Sequence, residues 1–202
     1  ADLLVLRGDG RGVVVRHLQA AGARRVIGVD PRPTNRHAVD HLLAPLSALG
    51  IAAAGGEAPR LPLDRESIRR GRLRLSAWGD RVAVLHPGSG SAAKNWPLER
   101  FLAVADWLRD RRGVVSVLSL GEADGAVAAH LAALGNPYPV LPPAPLHELA
   151  ETLAAACGYV GNDSGITHLA AAAGAPVVAL FGPSDPALWA PRGPRVRVIA
   201  RA

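Results

Sequence analysis

From residue 81 onward the chain alternates short apolar runs with helical patterns, and this limits the fold more than any other feature. The apolar runs are "RVAVLH", "VVSVLSLG", "YPVL", "YVG", "PVVALFG" and "RVRVIA". Between them stand the helical patterns of "LERFLAVADWLRDRR", "EADGAVAAHLAALG", "PLHELAETLAAACG" and "SGITHLAAAAG". Pro97 reads as the first helical position of one of these and Gly113 as its stop. Strands separated by helices pair in parallel, and right-handed crossovers place helices on both faces. The expected fold is therefore α/β, with a doubly wound, Rossmann-like sheet.

The earlier part is less regular. "DLLVL" and "VIGVD" read as strands, and "GVVVRHLQAAGARR" between them as a helix. "HAVDHLLAPLSALGI" is helical, with Pro45 kinking it or beginning a new turn. Two strands make an incomplete α/β unit over residues 1–54, with a sheet edge open to association. Residues 55–80 carry many charges and little periodicity, and read as an interdomain connection with one short helix. The densest basic stretch, "RLPLDRESIRRGRLRLSAWGDR", reads as a solvated face or linker; attraction to anionic lipid is the alternative. The expected division is a partial N-terminal α/β domain with linker, residues 1–76, and a Rossmann-like domain, residues 77–202.

Composition narrows the function. The net charge is +6, but the basic residues are spread along the chain, so nucleic acid is not an expected partner. A single cysteine, Cys157, excludes an intramolecular disulfide and fits a reducing compartment. It lies in an apolar helical pattern and reads as a buried structural thiol. No apolar run reaches the roughly 18 residues of a membrane span. The seven histidines form no HExxH pattern and there are no cysteine pairs, so neither a metal nor another cofactor is expected.

In a doubly wound sheet, ligands bind beyond the carboxyl ends of the strands. The loops there are "PGSGSAAKN", "GEADG", "NDSGITH" and "PSDP". The first holds Lys94, the only lysine among 23 lysines and arginines. Its small residues let backbone approach a ligand, and its ammonium suits a phosphate as a compact point charge. It matches neither the P-loop nor GxGxxG. In "GNDSGITHLAAAAG", Asp163 or Ser164 can cap the following helix, and Gly165 exposes amides in its first turn. Ser164 and His168, four apart, share a face. The alternatives are a plain strand-to-helix turn and a capped core helix.

"HPGSGSAAKNWP", followed by "GNDSGITHLAAAAGAPVVALFGPSDPALWAP", closely resembles the C-terminal domain of the ADP-heptose:lipopolysaccharide heptosyltransferases, glycosyltransferase family 9. The resemblance covers roughly residues 81–198, and "RHAVDHLLAPLSALGI" and "DLLVLRGDGRG" resemble parts of the N-terminal domain. It implies a GT-B fold of two Rossmann-like domains and inverting, metal-independent transfer from an ADP-heptose-like donor to a lipid-linked saccharide acceptor. It also implies a cytoplasmic enzyme, with peripheral contact at the inner membrane. Ser89 and Lys94 would hold the diphosphate, and Asp163 would face the donor sugar. Ser164, Gly165 and His168 would complete the pocket, with Thr167 nearby and "FGPSDP" as the adjacent wall. The family's N-terminal strand and glycine-rich turn, which carry its proposed catalytic aspartate, match nothing here. The resemblance thus implies a chain that starts within the N-terminal domain and ends before a last helix, with an unknown catalytic base. Gly125 stands where a ribose-reading glutamate is common, flanked by Glu122 and Asp124. The alternatives are a nucleotide-sugar-binding module without transfer activity, and another GT-B enzyme such as an epimerase or hydrolase.

Overall fold

The computed structural model describes residues 2–6, 12–52, 56, 58–135 and 137–200, with side chains from residue 12 onward except at Val29. The chain divides into two compact units, residues 1–57 with 187–189 and residues 58–186 with 190–202.

In the first unit, β1 (Asp2–Leu6) and β2 (Arg25–Val29) pair in parallel around α1 (Val13–Ala20), with Leu4 opposite Ile27. These are the two strands the apolar runs mark. Helix α2 (Ala38–Leu43) starts at His37, whose Nδ1 accepts from the Val39 amide at 3.2 Å. Pro45 then opens a 3-10 segment, Ala44–Leu49, so the proline begins a new turn rather than bending the old one. Residues 7–11, the turn of "DLLVLRGDGRG", lie outside the described residues.

The second unit contains α3 (Arg65–Leu75), β3 (Val82–His86), α4 (Leu98–Arg112), β4 (Val115–Leu118) and α5 (Gly125–Ala133). It continues with α6 (Leu146–Ala155), β5 (Gly158–Asn162), α7 (Gly165–Ala172) and β6 (Val177–Phe181). A one-turn helix, α8 (Pro186–Trp189), whose last three residues belong to the first unit, precedes β7 (Val196–Ala200). The strands are all parallel, in the order β4-β3-β5-β6-β7. From β3 the chain first steps outward to β4, then returns across to β5. The strand order therefore reverses between β3 and β5, which is the switch point where such sheets open a crevice.

Both faces are covered near that point. On one, Ala83, Leu85 and Leu118 pack under Phe101 and Ala105 of α4 and Leu131 of α5. On the other, Val84, Tyr159, Val177 and Ala179 pack against Leu153 of α6, Ala170 of α7 and Leu75 of α3. The strand residues are apolar at consecutive positions because both faces are buried. "YPVL" shrinks to one bridge, Val140 against Leu118, because Pro139 before it and Pro142 and Pro143 after it have no amide to extend the ladder. Pro97 sits one position before the helix, with an extended ψ of 136°, so α4 begins at Leu98. Cys157 is exposed rather than buried, because α6 ends at Ala155 and the thiol falls in the link to β5.

The basic segment departs most from the expectation of a linker. Helix α3 belongs to the second unit and is anchored to α6 by charge. Glu151, only 6% exposed, accepts from Arg70 Nε at 3.0 Å and from Arg74 Nη1 at 2.8 Å. Arg74 also reaches Glu148 at 2.9 Å. These arginines therefore answer carboxylates of the same unit rather than lipid. Hydrogen bonds from Arg70, then from Arg74, hold the Glu151 carboxyl down to about 2, against an ordinary 4.5. A depressed folded-state value means that the ionised pair stabilises the fold above pH 4.5, and that this contribution fades as pH falls toward 2. Glu151→Gln should therefore melt below the parent at pH 7, with the gap narrowing as pH drops from 5 to 3. Thermal melts across that range check it; a gap that stays constant contradicts it.

Candidate functional site

Parallel strands bring their following loops to one edge, and the register sets the two central loops level. His86 of β3 pairs with Gly161 of β5, so residues 87–97 and 162–165 leave the sheet side by side at the switch point. Asn162 joins them. It is fully buried, its Nδ2 donates to the Pro87 carbonyl at 2.8 Å, and its Oδ1 accepts from the Trp96 amide at 3.0 Å. One side chain thus ties both ends of the β3 loop to the end of β5. Within the loop, Ser89 Oγ lies 2.6 Å from Asn95 Oδ1 and 2.7 Å from the Ser91 carbonyl, and it accepts from the Ser91 amide at 3.2 Å.

Lys94, in the short helical turn Ala92–Lys94, places Nζ 2.7 Å from Asp163 Oδ2. The lysine is 36% exposed and the carboxylate 9%, so the ammonium still meets solvent while its counter-charge is nearly enclosed. Asp163 is fixed from behind, its amide donating to the Leu180 carbonyl at 2.9 Å. Ser164 caps α7 by accepting from the Thr167 amide, which leaves Asp163 for the lysine. Gly165 is exposed at the first turn, and a Cβ there would meet nothing within 4 Å; the same holds at Gly90. His168 is exposed one turn into the same helix.

The structure brings Lys94 and Asp163 together and sets Ser164, Gly165 and His168 beside them in sequence. Ser89 is half-buried and engaged inside its own loop. Thr167 is fully buried and faces inward. Its hydroxyl donates to the Asn162 carbonyl and lies 3.0 Å from the Tyr159 hydroxyl, so it shapes the loop from beneath. Burial raises the Tyr159 phenol above its ordinary value, which keeps it neutral in this network. After β4, Glu122 is exposed whereas Asp124 is 5% exposed and turned inward. Asn162 escaped the sequence reading, and Asp124 entered it only as a flank of Gly125. The signal for Asn162 was available: an amide closing a buried strand has to find partners across the next loop.

A groove of about 940 Å³ opens beside the lysine turn, and Lys94 and Asn162 are among the residues that line it. It runs between Val104, Trp107 and Leu108 of α4 and Val178, Leu180 and Ile199 of β6 and β7. Its other walls are mainly apolar and include no carboxylate, so of the Lys94–Asp163 pair only the lysine lines this groove.

The fold is shared with proteins of known structure. Over 97% of this chain and 67% of the other, Escherichia coli ADP-heptose lipopolysaccharide heptosyltransferase II superposes with a TM-score of 0.78 at 23% identity. E. coli heptosyltransferase WaaC with ADP-2-deoxy-2-fluoro heptose matches at 25% identity and a TM-score of 0.58, over 90% of this chain and 54% of that one. Among curated sequences, lipopolysaccharide heptosyltransferase 3 of E. coli strain K12 is 30% identical over 162 residues, which is 77% of this chain and 46% of the relative. The chain spans under half the length of the curated relatives it matches. The fold class is accordingly α/β of the GT-B type. The profile of glycosyltransferase family 9 (heptosyltransferase) matches residues 15–202, and the chain belongs to that family.

Proposed function

We propose that this chain forms part of an enzyme that transfers heptose, or a related sugar, from an ADP-sugar donor to a lipopolysaccharide core-type acceptor. The observation that carries the reading is the Lys94–Asp163 pair at the switch point, beside the N-terminus of α7. A diphosphate brings more negative charge than one carboxylate and draws the ammonium toward itself. The first amides of α7 add a favourable dipole for the same anion. Gly90 and Gly165 leave room for close approach, since nothing in the fold occupies the space of a side chain at either position. Asp163, relieved of the lysine, turns to the hydroxyls of the donor sugar. Solved neighbours named with ADP-heptose chemistry support this choice of donor.

Transfer inverts the anomeric centre in one displacement: the acceptor oxygen bonds to the anomeric carbon as the bond to the diphosphate breaks. Negative charge grows on the leaving diphosphate, so Lys94 and the amides act most strongly in the transition state, in the place a divalent cation would take. A carboxylate base takes the acceptor proton. The second unit, residues 58–186 with 190–202, binds the donor, and the first unit serves the acceptor side. No described helix is long and apolar enough to cross a membrane. A lipid-linked acceptor instead calls for peripheral contact, which the exposed Arg65, Arg72 and Leu73 of α3 suit.

The test is incubation with ADP-heptose and a heptose-deficient lipopolysaccharide core, read by mass spectrometry. The core should gain one heptose as ADP appears. ADP release without a heavier core would make the protein a hydrolase; binding with neither product would make it a donor-binding module.

A further inference from the structure

Gly88 and Asp124 fit one another as a pair. A Cβ on Gly88 would lie 1.7 Å from Asp124 Oδ1 and 2.2 Å from its Cγ. Gly88 does not have the left-handed φ that would itself call for glycine. The glycine is therefore there because the carboxylate occupies the space of its side chain. Asp124 in turn is 5% exposed, an expensive place for a carboxylate, and its Oδ2 accepts from the Gly121 amide at 2.7 Å. Beneath it lies His86, also buried. His86 Nδ1 donates to the Ser119 carbonyl at 2.7 Å and stands 4.0 Å from Asp124 Oδ2. The β4 loop is thus pressed onto the first residues of the β3 loop.

We infer that Asp124 is a positioning residue for the anion site: its carboxylate sets Gly88, and through Gly88 the loop that carries Lys94. The path is continuous. Asp124 abuts Gly88 from the β4 side, and Asn162 binds the Pro87 carbonyl from the β5 side. Ser89, next in the chain, bonds to Asn95, the neighbour of Lys94. Asp124 itself does not reach the ammonium, whose carboxylate partner is Asp163. Its buried place also gives it a role other than contact with the donor ribose. The inference rests on the proposed reading of Lys94 as the diphosphate contact.

The probe is ADP, titrated calorimetrically into the parent protein, Lys94→Ala, Asp124→Ala, Asp124→Asn, Gly88→Ala and the double variant Gly88→Ala/Asp124→Ala. Misplacing a binding group by about 1 Å can cost up to about 100-fold. Asp124→Ala and Gly88→Ala should each weaken ADP binding by about tenfold or more. The double variant should recover much of the loss of Gly88→Ala, because the added methyl then enters the space the carboxylate left. Asp124→Asn, which keeps the shape and the acceptor, should recover most of what Asp124→Ala loses. In a Lys94→Ala background, Asp124→Ala should cost little more, since both act on one contact. A residue with only a general structural role would show neither the paired recovery nor this coupling. Unchanged affinity in Asp124→Ala, or full additivity with Lys94→Ala, would overturn the inference while leaving the Lys94 reading intact. An unaffected Lys94→Ala would overturn that reading, and the inference with it.

Discussion

Lys94→Ala is expected to weaken ADP binding by about one to two orders of magnitude while leaving adenosine binding nearly unchanged. A hydrogen bond to a charged group contributes roughly 1.5–3 kcal/mol, and each 1.4 kcal/mol is tenfold. Two consequences reinforce each other in this site. Losing the ammonium removes the attraction for phosphate, and it also leaves Asp163, only 8% exposed, without its counter-charge. Both act against an anion, so the upper part of the range is expected. Lys94→Arg should rescue poorly, because the planar guanidinium needs more room than the compact ammonium that the loop places beside Asp163. Calorimetric titration of ADP and adenosine into the three proteins checks this. Equal ADP affinity in all three would make Lys94 an ordinary surface charge.

The second large effect is on stability. Gly71→Ala should destabilise the protein by about 2 kcal/mol, although alanine favours a helix over glycine by about 1 kcal/mol. Helices α3 and α6 meet at this glycine. A Cβ there would lie 2.0 Å from the Glu151 carbonyl oxygen, 2.6 Å from its carbon and 3.0 Å from Ala155 Cβ. A backbone neighbour cannot rotate away, so the helices must part, and overpacking of this kind costs about 1–3 kcal/mol and occasionally more. Separation would also stretch the Arg70 and Arg74 contacts to Glu151, which moves the balance further toward loss. Urea unfolding of the two proteins measures the difference. A neutral or stabilising effect would mean that α3 does not pack so closely on α6.

The same helix shows where sequence reading stops. The central strands of the second unit were legible because burial on both faces writes continuous apolar runs, as in the fully buried Val82–His86. Helix α3 was not, because its inward stripe is Ser67, Gly71 and Leu75. That spacing is helical, yet two of the three residues are not hydrophobic, and the arginines around them resemble a solvated face. What holds the helix is close backbone approach and charges on a partner 77 and 81 positions away. The site divides in the same way. Its loops followed from topology, and Lys94 and Asp163 could each be singled out. That they meet depends on the level register of β3 and β5, which residue types do not reveal. Thr167 points into the core while its neighbour His168 is exposed, because adjacent helical residues face about 100° apart.

A crystal structure of the protein with ADP tests most directly whether the switch point is an anion site. The expected result has diphosphate oxygens within hydrogen-bond distance of Lys94 Nζ and of the first amides of α7, with the Lys94–Asp163 contact lengthened from 2.7 Å. ADP seated instead in the apolar groove between α4 and β6, with the Lys94–Asp163 pair intact, would contradict it.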